Sequence, residues 1–422
     1  MTFTVAIAGG GIGGLTLAHG LRGAGVPVTV FERDHTERER LQGYRIHISP
    51  KGCRALHECL PGHLYRAFAD SSGKPNTSLG FYDEDLRRLL VIGEENPAGE
   101  QYVDGYRSVN RMALRKVLLA DLDDVVVFGK RFTRYEDLPG GRVRAHFDDG
   151  THGDADLLVG ADGAGSRVRE QRLPHAPRVD TGAFTISGKV ALTDETRTLL
   201  PRQMFAGSGM VFGPDGKSMF LAAHEFRGER ASAPADLLWD ETADYIMWNM
   251  VTTWDKVGER ASVTSLGPEA LRDLAMEAVA GWHGGLRELM RRSDLGTVMV
   301  YPFTAATPVA AWKPSNVTLL GDAVHCMPPT AGAGANTAIL DAGVLRRRIT
   351  AVARGESELL AAVGAYEEEM RGYAYPTVRR ALRNLRSGVS DSPFARAMTR
   401  TVFRTIDRVG PIKRKMSAAM TR

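Results

Sequence analysis

Glycines at positions 9, 11 and 14, followed by a carboxylate at Glu32, have the types and spacing to hold the pyrophosphate and ribose of a dinucleotide. Glycine supplies 46 of the 422 residues, so a bare Gly-x-Gly-x-x-Gly recurs by chance and its surroundings must decide. Here they fit. Phe3–Ala8 reads as a short buried strand, Ile12–Ala24 as a helix, and Val28–Phe31 as a second strand that delivers Glu32. Gly9 permits the tight turn, and Gly11, with Ile12 and Gly13 beside it, leaves the backbone open to a pyrophosphate at the helix N-terminus. Gly14 lets helix and strand pack closely. The Glu32 carboxylate suits ribose hydroxyls and repels a 2′-phosphate. The pattern serves NAD and FAD alike.

Two distant stretches carry further signals. Leu157–Gly160 reads as a buried strand running into Asp162-Gly163 and a basic helix start. Residues 315–321 read as another, ending in Gly321-Asp322. A proline- and glycine-rich loop follows, and then a long helix from about Asn336. Each alone is an ordinary strand-loop-helix element.

With all three in this order, the chain resembles the FAD-dependent monooxygenases of the para-hydroxybenzoate hydroxylase type, the single-component flavoprotein aromatic hydroxylases. The resemblance implies an α/β fold with a Rossmann-like FAD-binding domain assembled from discontinuous segments (1–75, 100–175 and 296–355). An inserted α+β substrate domain (76–99 and 176–295) and a helical C-terminal region (356–422) complete it. It also implies roles. Gly9, Gly11, Ile12, Gly13 and Gly14 surround the pyrophosphate, Glu32 holds the adenosine ribose, and Arg33 lies along the adenosine. Arg111, in the helix of 109–119, reaches the flavin phosphate or ribityl region, the alternative being a surface ion pair. Asp162 and Gly163 support FAD and the nicotinamide approach. Gly321 and Asp322 meet the ribityl chain, while Pro329 and the backbone of Gly332, Ala333, Gly334, Ala335 and Asn336 face the flavin ring. Helix-terminal N–H dipoles there suit the negative charge of a reduced flavin, and small side chains let the backbone approach a planar ring. His325 is read as structural.

The implied reaction takes hydride from NADH or NADPH as a transient donor. It captures O2 as a flavin C4a-hydroperoxide and hydroxylates an electron-rich aromatic, polycyclic or enolic small molecule, of the kind met in secondary metabolism. A Baeyer–Villiger or epoxidising outcome, or a flavoprotein oxidase, is the alternative. No second Gly-x-Gly-x-x-Gly occurs, so no separate nicotinamide domain is visible. Because the cofactor is the reagent, few protein groups need do chemistry. In "GYRIHISPKG" (43–52), strand alternation puts Arg45 and His47 on one face, where they could touch cofactor, orient a phenolate or gate the hydride step. A salt-bridged surface strand fits them equally. His224 is a candidate substrate contact.

The positioning elements follow from pattern. Residues 184–192 and 208–226 read as strands, the latter a hairpin about Pro214-Asp215-Gly216. After a polar stretch (227–236), an amphipathic helix is expected around Leu237–Met250, another over 266–279, and a returning strand over 297–306. Composition is that of an ordinary soluble globular protein, with 43% apolar and 25% charged residues. Cys53, Cys59 and Cys326 cannot build a disulfide framework, and no leader or membrane span is evident, so a cytoplasmic monomer or homodimer is expected. Residues 371–422 carry 13 Lys and Arg against 2 Asp and Glu. Interleaved apolar residues make that stretch a packed helical face and not a nucleic-acid-binding tail.

Overall fold

A computed structural model describes residues 2–37, 45–74, 78–93, 102–226 and 243–413. At its base is a five-stranded parallel sheet, ordered Val317–Leu319, Leu157–Gly160, Val5–Ala8, Val28–Phe31 and Val126–Val127. Three of these strands are the ones that carry the motifs. Val5–Ala8 lies in register with Leu157–Gly160 on one side and Val28–Phe31 on the other. Leu157–Gly160 is in turn flanked by the strand leading to Gly321-Asp322. All three motifs therefore leave the sheet at the carboxyl ends of its strands, where open α/β sheets bind their ligands.

These strands are apolar on both faces because both are covered: helices such as Ile12–Gly23 pack on one side, and the three-stranded sheet of Phe132–Leu138, Arg142–Phe147 and His152–Ala155 packs on the other, with Phe31 against Phe147. The fingerprint helix Ile12–Gly23 packs against the long helix Gly334–Ala353. Glycine lets them come close, since a Cβ on Gly13 would stand 3.2 Å from Ala338 Cβ on the facing helix and 2.4 Å from Leu320 Cδ2 below it. The same core continues into the helix Leu359–Gly388 through Val363, Tyr366, Met370 and Ala374.

A second sheet of seven strands is ordered Asp294–Ala306, Arg178–Ala191, Tyr245–Thr253, Ser218–His224, Ser208–Phe212, Ser78–Asp83 and Arg88–Gly93. All of its pairings are antiparallel except Ser208–Phe212 with Ser78–Asp83. One face packs Phe184, Ile186, Met219, Leu221, Ile246, Trp248 and Met250 against the helices Pro268–Ala278 and Gly284–Arg291. The other face is more polar and meets the two-stranded ribbon of Arg45–Ile48 and Arg107–Asn110.

The expected hairpin, the helix over 266–279 and the returning strand are present. The helix expected around Leu237–Met250 is not. Residues 245–250 belong to the strand Tyr245–Thr253, between two others, and 237–242 lie outside the described residues. The error has a physical source: a strand covered on both faces is apolar throughout, which periodicity cannot separate from a buried helix. Among the described residues no helix is long and apolar enough to cross a membrane.

Gly9 is a position at which the fold itself demands glycine on two counts. Its φ is +114°, and a Cβ there would lie 2.3 Å from the Ala161 carbonyl oxygen. Gly9→Ala should therefore destabilise the ligand-free protein by about 2–3 kcal/mol, the range of a strained backbone plus a clash. Urea unfolding would measure it.

Candidate active site

The fingerprint loop is held from behind by charged side chains. Glu32 is buried; its Oε2 accepts from the Gly10 N–H (2.6 Å) and its Oε1 from the Asp34 N–H (3.0 Å). Arg33 follows, half-buried. Arg115 Nη1 donates to the Gly10 carbonyl at 2.7 Å, while its Nε is shielded and has no partner. A Cβ on Gly11 would meet nothing within 4 Å, so here the missing side chain opens space in front of the helix N-terminus. Gly14 is different: its Cβ would lie 2.2 Å from the Gly9 carbonyl oxygen, as close packing requires.

Asp162 Oδ2 accepts from the N–H groups of Arg167 (2.8 Å) and Val168 (3.4 Å). Its other oxygen is buried and unpartnered. Burial pushes this carboxyl up, against the pull of those hydrogen bonds. Gly163 follows it in the left-handed region, at φ +80°.

The Gly321-Asp322 turn hangs on one buried carboxylate. Asp341 Oδ2 accepts from the Gly321 N–H (2.9 Å) and lies 2.6 Å from His325 Nε2, while Tyr373 donates to Oδ1 at 2.6 Å. Burial opposes charging of His325, but Asp341 more than offsets it and raises the imidazole pKa. His325 is thus an anchor, as read from sequence. Asp322 is exposed to solvent, as the first residue of the short helix Asp322–His325. Desolvation raises its carboxyl, while His325 and Arg111 pull the other way. Arg111 is itself exposed, within electrostatic reach of both Asp322 and Tyr301.

The loop over 329–336 is pinned on two sides. Thr330 Oγ1 donates to the Ala381 carbonyl (2.6 Å), and Asn384 Nδ2 donates to the Thr330 carbonyl (3.0 Å). Asn336 Nδ2 donates to the His47 carbonyl (2.7 Å), and its Oδ1 accepts from the Ser49 N–H (2.7 Å). This amide ties the loop to the Arg45–Ile48 strand. Gly332, Ala333, Gly334 and Ala335 stay at least partly accessible, as does Pro329.

Arg45 and His47 share one face of their strand, and that face meets the second sheet. The structure does not show the surface salt-bridge alternative: Arg45 is only 8% exposed, and neither residue is ion-paired among the described residues. Arg45 Nε donates to Ser108 Oγ (2.5 Å), which lies 3.1 Å from Nδ1 of the buried His224. His47 stacks on Tyr106 with ring centroids 5.0 Å apart. Burial, and then Arg45, push its pKa down to about 4. His224 falls to about 3, through burial, Arg45 and Lys189 in that order. Across the wall, Ser187 Oγ donates to Asn249 Oδ1 (2.8 Å), and Lys189 Nζ stands 4.8 Å from the Tyr245 ring centre.

Sequence reading missed Arg115, Ser108, Tyr245, Lys189 and Asn249. Arg115 was findable, since it lies one helical turn beyond Arg111. The others sit on strands whose polar face is defined only by their pairing.

The residues fit a bound dinucleotide: an open approach at Gly11, an unpartnered Asp162 Oδ1, and an unpartnered Arg115 Nε beside the loop. The comparisons agree with that geometry. A family model described as an FAD binding domain matches residues 297–381. A 3-amino-4-hydroxybenzoate 2-monooxygenase of Streptomyces platensis is 30% identical, covering 81% of this chain and 78% of that protein. A dual O-methyltransferase/FAD-dependent monooxygenase of Cercospora beticola is 31% identical over 89% of this chain, which spans only 45% of that longer protein. The crystal structure of an FAD-containing monooxygenase from Photorhabdus luminescens superposes with a TM-score of 0.81 at 34% identity, covering 92% of this chain and 99% of that one. The chain belongs to the FAD-dependent monooxygenases.

Two measurements follow. Gly11→Val should leave ligand-free unfolding within about 0.5 kcal/mol of the parent, as for an unobstructed surface site, while weakening FAD binding at least about tenfold. Flavin fluorescence titration beside urea unfolding tests the separation. As pH falls below 6.5 the unfolded chain protonates its histidines, but folded His224 stays neutral until about pH 3. Folding therefore loses about 1.4 kcal/mol per pH unit for this group. His224→Phe should flatten the acid slope of stability between pH 6 and pH 4 by about that amount, read by urea unfolding at each pH.

Proposed function

We propose that this chain hydroxylates an electron-rich aromatic or enolic small molecule, with tightly held FAD, O2 and transiently bound NADH or NADPH as co-substrates. The observation that carries the reading is the meeting of three dinucleotide-type segments at one sheet end, directly beside a buried polar wall. FAD, once bound, supplies the hydride acceptor and the means of activating O2.

In this reading Gly11 leaves room for the pyrophosphate, and Glu32 keeps the loop in shape while offering lone pairs to the ribose. Arg115 and Arg111 balance phosphate charge. Asp162 offers its unpartnered oxygen, and Asp322 takes ribityl hydroxyls at the cleft floor. The loop from Gly332 to Asn336 presents backbone N–H groups to the flavin edge. Asn336 acts differently from the rest: its side chain fixes the neighbouring strand, so His47 and Arg45 keep a set distance from the ring. Neutral His47, stacked on Tyr106, can donate or accept a hydrogen bond without placing a second positive charge beside Arg45. The closed polar wall excludes water from the transfer step.

The Streptomyces platensis relative is named for an aminohydroxybenzoate, which supports an aromatic acid or phenol as the substrate class. Protein loaded with FAD should show the oxidised-flavin visible band and oxidise NADH or NADPH faster when phenols or polycyclic aromatics are present. Product mass should rise by one oxygen atom with the ring intact. A ring-expanded ester or an epoxide would identify the alternative outcome. Peroxide formation without any oxygenated product would overturn the reading.

A further inference from the structure

The helix Pro393–Arg408 is held to the body by one face. Phe403 packs on the seven-stranded sheet, its ring centre 4.8 Å from that of Phe81 and 6.3 Å from that of Phe212. Arg400 pairs with Glu84, Arg404 lies 3.6 Å from Asp83, and Asp407 Oδ1 accepts from the Val91 N–H at 3.5 Å. The helix thus covers the edge strand Arg88–Gly93 and the end of its neighbour. Ser392 caps it by accepting from the Ala395 N–H (3.2 Å), and Pro393 suits its first turn.

Its other face is bare. Phe394 is 78% exposed, Met398 54% and Val402 46%, each one helical turn from the last, and Val409 and Ile412 continue the line past the helix end. Of the ten large apolar side chains exposed among the described residues, five lie in this one stretch. The packed face expected for the basic stretch is therefore only half of its surface, and the rest is a contiguous apolar stripe of the kind that marks a contact. The charge around it has one sign. Arg408, and Arg379, Arg380, Arg383 and Arg386 on the helix that leads in, are exposed and have no ion pair among the described residues. Both acids of residues 371–422 are already engaged, Asp391 by Lys256 and Asp407 by Lys413 (2.8 Å).

Stripe and charge together select the occupant. A second copy of this face would set arginine against arginine. A negatively charged lipid surface suits both features, because apolar side chains enter the headgroup boundary while guanidinium groups stay at the phosphates. We propose that the helix Pro393–Arg408 docks this protein peripherally on an anionic phospholipid surface. Phe394, Met398 and Val402 enter the interface, and Arg408 with the arginines of the preceding helix supplies the attraction. The helix lies on the surface and does not cross it. Since its opposite face already fixes it to the sheet, no folding has to accompany binding, which keeps the ordering cost low. The inference goes beyond the reaction proposed above and does not depend on it.

The full chain is sedimented with vesicles of phosphatidylcholine alone and with vesicles in which about one third is replaced by phosphatidylglycerol. Binding to the anionic vesicles should exceed binding to the neutral ones at least about tenfold, and should weaken as salt rises from about 0.1 M to about 0.5 M. Phe394→Ser combined with Met398→Ser should lower anionic-vesicle binding at least about tenfold, through loss of two inserted side chains. Arg408→Gln should lower it about fivefold. Thermal unfolding and the flavin spectrum should match the parent in both variants, because the packed face of the helix is unchanged. The proposal is overturned if the protein stays in solution with both vesicles, the result expected if an acidic protein surface is the occupant. It is also overturned if the serine pair binds like the parent, or if that pair abolishes a dimer seen by analytical ultracentrifugation, which would assign the stripe to a second copy. Binding is read on the protein itself, so failure of the hydroxylase reading would leave this result standing.

Discussion

The carboxylate of Asp341 is the point on which this site depends. It lies wholly out of solvent and receives the Gly321 N–H, the His325 ring and the Tyr373 hydroxyl. Those partners belong to the turn that carries Asp322, to the short helix beyond it and to the helix Leu359–Gly388, while Asp341 sits on the helix that begins at the flavin-type loop. One buried anion thus sets the mutual position of four pieces of chain. It persists in an apolar setting because every contact is a donor, and a donor-rich pocket replaces the hydration that burial removed. Asp322, one residue from the anchored Gly321, remains exposed.

A similar economy links the two sheets. Asn336 reaches from the loop to the backbone of the Arg45–Ile48 strand, and the same strand's side chains reach through Ser108 to His224. The cofactor-type cleft and the polar wall are therefore joined by a short path of hydrogen bonds. Because both ends of the Asn336 contact are backbone groups, the strand's position does not depend on which side chains it carries.

The electrostatics divide along the same line. On the cleft side, Asp162 and Asp322 are carboxylates whose surroundings push their pKa up, a cost that a hydroxyl-rich ligand would relieve. On the wall side, burial lowers the pKa of two histidines, and among the described residues a buried guanidinium has no carboxylate partner. Carboxylates thus gather at the carboxyl end of the parallel sheet, and nitrogen donors gather on the polar face of the second sheet. The family assignment is consistent with this separation, since one cofactor and one small molecule must sit side by side.

Much of the cofactor side was legible in the sequence, because its signals are local. A strand, three glycines, a helix and a terminal carboxylate constrain one another within about thirty residues through backbone sterics and hydrogen bonding alone. The Asp162-Gly163 and Gly321-Asp322 pairs follow buried strands for the same reason. The polar wall was not legible. Ser108, Lys189, Tyr245 and Asn249 lie on strands whose faces are assigned only when the register with distant neighbours is fixed, and 245–250 even read as a helix because both of its faces are covered. Arg45 shows the limit most clearly. Alternation put it on one face with His47, but whether that face met solvent or a second sheet was decided by long-range packing. Periodicity records which residues share a face; only the folded chain determines what that face is buried against.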